Sequence, residues 1–358
     1  MENADRLEGV RSTGEHVLSG NVRFRHGDLV LETQRAVWER ARNRVTSEQG
    51  LVITQRGSRL TADRGSYDRE KDHARAEGNV VMRDSAGEVE ARGERLDYDR
   101  RLRVARLTGD PVAKRFYPGG DSGRADTLVI RGRKLRYNDS AGIADAEGQV
   151  VITRNDLRIT CDRAEYRRDQ DSLILHGNPV AKVGDSEIRG KVIRIGMSGE
   201  TLRGMRVRGE AEALSFEKAT DSTPARHSRV TGDSLFAAFL DGALDSVEVF
   251  DRAEGTYWEP ARPAYVNRVS GRYMVMRFSG RQAREADVVG SARSTYYHFE
   301  RDTLKGRNQA GGESISMTFE NGKVREVLVR GSASGVYEGR DLGVRKSPAD
   351  SGRAGGRP

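Results

Sequence analysis

The sequence predicts an all-β protein, an elongated antiparallel β-jellyroll of about twenty bent strands. Three observations carry this. A module recurs ten times at spacings of 29 to 42 residues. Apolar residues alternate at period two, as in Leu29/Leu31 and Leu157/Ile159/Cys161, with no sustained helical period. Only 35% of the residues are hydrophobic while 32% are charged, and 41 glycines stand against 8 prolines. That mixture suits an extended repeat with glycine bends better than a compact ball.

Each module opens on a small residue followed by polar ones: Ala4-Asp5-Arg6, Thr33-Gln34-Arg35, Ala62-Asp63-Arg64, Gly93-Glu94-Arg95, Gly132-Arg133-Lys134 and Cys161-Asp162-Arg163. Sixteen residues after Ala4, Ala62, Gly93, Gly132 and Cys161 stand Gly20, Gly78, Gly109, Gly148 and Gly177. Several continue alike, as Gly20-Asn21-Val22, Gly78-Asn79-Val80 and Gly177-Asn178-Pro179-Val180. Later modules keep the plan with a longer step: Gly190, Gly232, Gly271 and Gly312 precede Gly209, Asp251, Gly290 and Gly331 by nineteen residues. Polar turns such as "DREKD", "NDSAG" and "LDG" separate the strands, and loops such as "YPGGDSGRAD" and "DSTPARHSR" absorb the extra length. One module is thus about two strands of a meander.

The phase of the pattern predicts the bend. An apolar residue lies two before the small one (Leu31, Leu60, Ile130, Ile159), and others lie three and five after it (Ala36/Trp38, Leu96/Tyr98, Leu135/Tyr137, Ala164/Tyr166). In a straight strand these would face opposite sides. A bend or bulge at the Asp-Arg step restores one common inside, where a small residue relieves crowding, and the recurrent glycine bends the partner strand. The expected organisation is residues 1–218 as jellyroll repeats, 219–338 as repeats with longer hairpins continuous with the first, and 339–358 as a disordered Gly/Pro/Arg-rich tail.

The net charge of +8 comes almost wholly from arginine, since lysine occurs nine times. Arginine alternates with Asp and Glu, as in "YDREKDHARAEG", which reads as a solvated strand face and not as a nucleic-acid footprint. Cys161 is the single cysteine, and His16, His26, His73, His176, His227 and His298 lack ligand spacing, so neither metal nor cofactor is expected. No apolar run approaches the ~18 residues of a membrane helix. The start, "MENADRLEGV", has no apolar signal region, which reads as a cytoplasmic, mature or truncated chain.

The stretches "ADRLEGVRSTGEHVLSGNV", "LTADRGSYDREKDHARAEGNVVM" and "ITCDRAEYRRDQDSLILHGNPV" resemble the LptA/OstA family of lipopolysaccharide-transport proteins, and the second half is similar to OstA-like relatives. The resemblance spans residues 4 to about 338. It implies a twisted jellyroll whose apolar groove holds acyl chains, a periplasmic location, and partners met through open sheet edges: other lipopolysaccharide-transport components, or copies stacked end to end. By column, the groove-facing candidates for lipopolysaccharide or a similar glycolipid are Val22, Phe24, Leu31, Trp38, Tyr67, Val80, Met82, Tyr98, Tyr137, Val150, Ile152, Ile159 and Tyr166. The same positions also suit a dry, packed core. The chain shows neither terminal barrel strands of an LptD-type translocon nor the membrane helix of an LptC-type anchor.

Two other readings compete. Gly232-Asp233-Ser234-Leu235 spells a serine-esterase signature, but a nucleophile needs a base histidine held by a carboxylate. The downstream histidine, His298, has no Asp three before it, and the repeat aligns Ser234 with Tyr273 and Ser314. The chain is therefore not expected to be an enzyme. The other alternative is a structural β-repeat, an adhesin or filament segment without a lipid ligand.

Overall fold

The computed structural model describes residues 3–10, 14–117, 126–198, 201–219, 224–241, 243–280, 282–300, 303–320 and 323–339. Nearly all of the tail expected at 339–358, and the centre of the "YPGGDSGRAD" loop, lie outside them. Among the described residues, 27 strands join in one antiparallel hydrogen-bonded sheet. Twelve strands, such as Glu15–His26 and His73–Arg83, run unbroken through a bend. Seven further rungs are split at the bend into two short strands, as Arg44–Ser47 and Leu51–Gln55 are. With Arg6–Val10 at the N-terminal edge, this makes twenty rungs among the described residues. The fold is all-β, and the two arms of the rungs form two layers.

The bend is built by the residues that mark the repeat. Gly20 and Asn21 both take positive φ (75° and 46°), as do Gly78 and Asn79 (76° and 47°) and Gly148 and Gln149 (78° and 52°). Each pair is a bulge at which the pairing skips, between Ser19 and Val22, Glu77 and Val80, and Glu147 and Val150. Opposite the bulge, the peptide N–H of Asp5 donates to Gly20 O and that of Asp63 to Gly78 O, both at 2.9 Å. The parity switch also occurs: Cys161 and Ala164, three residues apart, are both buried.

Small residues are required beside the bend because the next rung intrudes there. A Cβ on Gly190, Gly232, Gly271 or Gly312 would stand 2.4, 2.5, 2.6 or 2.7 Å from the Cγ1 of Val207, Val249, Val288 or Val329. The two layers also touch directly, since a Cβ on Gly65 would lie 2.5 Å from Leu51 Cδ2 of the facing arm.

The core follows the whole sandwich. One cluster runs from Ala146 to Ile315, a second from Leu29 to Leu107, and Leu135 packs against both. A third, Leu18, Val22 and Ala36, closes the N-terminal end. Strands lengthen along the chain, from 12 residues in Glu15–His26 to 19 in Gln282–Glu300. The ladder continues from Thr201–Glu217 to Arg226–Leu240, which pair with each other.

Candidate functional site

The space between the layers grades from closed to open. On the first layer the row next to the bend is sealed: Leu18, Leu175, Ile193 and Val207 are all 0% exposed. One row further out, at the mouth, Trp38, Tyr67, Tyr98 and Tyr166 are half-buried and Tyr137 is 41% exposed. The inner faces thus carry an apolar floor beside the bend and an aromatic lip at their outer edge.

Register explains the lip. Tyr67 pairs with Ala74, Ala74 with Tyr98, Tyr98 with Ala105, Ala105 with Tyr137, Tyr137 with Ala144 and Ala144 with Tyr166. Tyrosine and alanine thus alternate on successive rungs. The second layer complements them: its lip reads Val89, Arg115, Leu128, Arg154, Leu157 along the same ladder. Aliphatic residues stand on the tyrosine rungs, and arginines stand on the rungs of Ala105 and Ala144. Beyond Leu173 the mouth row turns aliphatic and closes, with Ile195, Met205 and Val247 each 8% exposed.

Polar groups tie the lips at the N-terminal end. Tyr67 Oη donates to Asp72 Oδ1 at 2.6 Å. His26 Nδ1, on the second layer, lies 3.4 Å from Tyr67 Oη and 3.3 Å from Arg100 Nη1. Burial raises the Tyr67 pKa, and the hydrogen bond to Asp72 raises it further. Burial is also the main cause of the raised pKa of Tyr98, Tyr137 and Tyr166, so these phenols stay neutral and amphipathic near neutral pH.

The structure places the thirteen sequence-derived candidates on the inner faces. Val22, Val80, Val150, Ile152 and Ile159 line the floor at 0–2% exposure, with Leu31 at 4%. Phe24 and Met82 pack part-buried against the same core. Trp38, Tyr67, Tyr98, Tyr137 and Tyr166 form the lip. Sequence reasoning passed over Arg115, Tyr117 and Arg154, although the period-two count from Ala113 and Ile152 sends them inward.

Ser234 sits within the strand Arg226–Leu240, paired with Arg208 on one side and Phe250 on the other. The neighbouring Leu235 points into the core at 1% exposure. His298 lies on another strand, paired with Gly306. The tetrapeptide is a bend followed by a core side chain. Among the described residues no group of His, Cys, Asp and Glu is arranged to hold a metal.

Fold and trough together define an elongated two-layered β-jellyroll with an apolar interior. Residues 3–143 match the family described as LptA/(LptD N-terminal domain) LPS transport protein. Among solved structures, the chain is similar to LptH, described as the LptA homologous periplasmic component of the conserved lipopolysaccharide transport device from Pseudomonas aeruginosa. Identity there is 16% and the TM-score 0.27, over 34% of this chain and 75% of that one. The comparison with curated proteins finds no match.

Proposed function

We propose that the chain binds lipopolysaccharide or a related glycolipid in the periplasm and passes it toward the outer membrane, the acyl chains lying between the two layers. The observation that carries this reading is the graded trough of the N-terminal half, sealed at Leu18 and Val80 (0% and 1% exposed) and open at Tyr137, within the part of the chain that matches the transport family. Each methylene moved from water into such a trough contributes about 0.8 kcal/mol, so several acyl chains suffice for firm capture without any catalytic group. The thirteen inner-face residues serve as the lipid wall in this reading. The edges that no further described strand covers, Arg6–Val10 at one end and Ser334–Gly339 at the other, are where further transport components or copies of the chain would add strands.

Mass spectrometry of lipid that co-purifies from a Gram-negative host tests the proposal. Glycolipid is expected with the wild type and much less with Met82→Glu or Tyr98→Asp, provided both variants keep the wild-type circular dichroism. Recovery of no glycolipid at high protein loading would return the chain to the structural-repeat alternative.

A further inference from the structure

Charge is not spread evenly along the trough mouth. On the second layer the lip carries Gln55 and Ser58 early in the chain, and Ser186, Ser215 and Ser228 late. Between them, and at no other rung of that lip among the described residues, stand the guanidinium groups of Arg115 and Arg154. Both pack on Tyr117, with Cζ to ring-centroid distances of 5.0 and 4.0 Å. Asp126 pairs with Arg154 at 2.6 Å. No carboxylate among the described residues lies within ion-pair distance of Arg115. Arg115 and Tyr117 stand on the inner side of their strand, by the period-two count from Ala113.

That opposite lip carries a second cation of the same kind. Arg168 donates to Tyr137 Oη and to the carbonyl oxygen of Asp139, each at 3.4 Å, and makes no ion pair with a carboxylate among the described residues. The nearby acids are engaged: the Asp139 carboxylate with Arg103, and Asp171 as acceptor from Tyr166 at 3.0 Å. Among the described residues, two guanidiniums thus remain without a carboxylate on the two lips, above an apolar floor formed by Ile152 and Ile159.

We infer that the mouth between Tyr98 and Tyr166 is a seat for a phosphate monoester on the head of an amphiphile, held by Arg115 and Arg168, the latter positioned by the Tyr137 hydroxyl, which itself donates to Asp139 Oδ1 at 3.2 Å. The inference rests on the lipid reading above and names the head-group chemistry that this reading leaves open. A phosphate monoester carries about −1.5 to −2 charge at neutral pH, which matches the two guanidiniums that meet no carboxylate among the described residues. Guanidinium forks meet phosphate oxygens with paired, charge-assisted hydrogen bonds. The apolar floor beneath separates a lipid-borne phosphate from a free one, because only the former gains from chain burial.

The test measures binding of two acyl-matched glycolipids, one phosphorylated and one with its phosphates removed, to the wild type and to the Arg115→Gln/Arg168→Gln double variant. Inorganic phosphate serves as competitor. A wild-type preference of about tenfold for the phosphorylated lipid is expected from a seat of this kind. The double variant should lose that preference while keeping its affinity for the dephosphorylated lipid, which also shows that it folds. A preference equal in both proteins, or absent from a wild type that takes both lipids, overturns the phosphate seat and leaves the trough reading standing. A wild type that takes neither lipid overturns both. Inorganic phosphate that competes as strongly as the lipid overturns the lipid as its source.

Discussion

Asn79 donates its side-chain Nδ2 to Oδ2 of Asp63 at 2.8 Å, joining residues sixteen apart across the outer corner of the bend. Asn21 does the same to Asp5 at 3.0 Å. The Ala-Asp-Arg and Gly-Asn-Val motifs recur at fixed distance because they are the two halves of this lock.

Gly78 is held in the lock by both shape and dihedral. Its φ is 76°, and a Cβ there would stand 2.4 Å from Asp63 Oδ2. Gly87 offers a control, with φ of 74° and no heavy atom within 4 Å of its Cβ position. Both Ala substitutions meet the left-handed penalty of about 1 kcal/mol, but only Gly78→Ala also breaks the corner. Urea unfolding should show Gly78→Ala losing about 1–2 kcal/mol more than Gly87→Ala. Equal losses would mean that the Asp63 side chain moves aside freely.

Much of this was legible in the sequence, and the reason is periodicity. The bend, the inward parity and the Tyr67–Tyr98–Tyr137–Tyr166 column all repeat, and a repeated error in phase would have to recur in every module. The charged lip was not legible in the same way. Arg115 and Arg154 occur on two rungs only, and their role depends on which residue faces them from the other layer. That relation is set by how the rungs stack and not by any local pattern. The closure of the mouth beyond Leu173 was likewise hidden, because Ile195 and Met205 follow the same alternation as the tyrosines they replace.

The pair Gly232 and Val249 predicts a size-compensation cycle. A Cβ on Gly232 would sit 2.5 Å from Val249 Cγ1, so Gly232→Ala overpacks the bend and should cost about 1–3 kcal/mol. Adding Val249→Ala vacates that space, and the double variant should lose less than the two single losses together. Leu235→Ala, at a position 1% exposed, should cost about 2–5 kcal/mol, whereas Ser234→Ala should stay within about 0.5 kcal/mol. A large loss at Ser234 would reopen the question of what its hydroxyl does.

Glu90 predicts the pH dependence of the N-terminal half. Its side chain is 7% exposed between Arg83 and Arg92, at 2.8 and 2.5 Å. The hydrogen bond from Arg92 holds its pKa below the ordinary 4.5, against the opposing effect of burial. A depressed carboxylate pKa stabilises the fold above its unfolded value, and that contribution is lost as pH falls through the folded value. Glu90→Gln should therefore cost about 1–2 kcal/mol at neutral pH, with the gap to wild type narrowing below about pH 4. Urea midpoints measured at pH 7 and about pH 3 check this, and a gap that widens with acid would refute it.

Cys161 reports whether the two layers separate. The thiol is 7% exposed on the floor beside the bend, and burial, reinforced by the charge of Asp162, pushes its pKa up to about 11. At pH 8 only about one thiol in a thousand is then ionised in the closed trough, against roughly a quarter for a free cysteine of pKa near 8.5. Labelling with an aromatic disulfide should accordingly run at least about a hundredfold slower in buffer than in urea. It should slow further when glycolipid lies between the layers and covers the floor. A folded-state rate within tenfold of the unfolded one would show that the layers open at this rung on the labelling timescale, and that the floor is not the sealed surface that lipid capture needs.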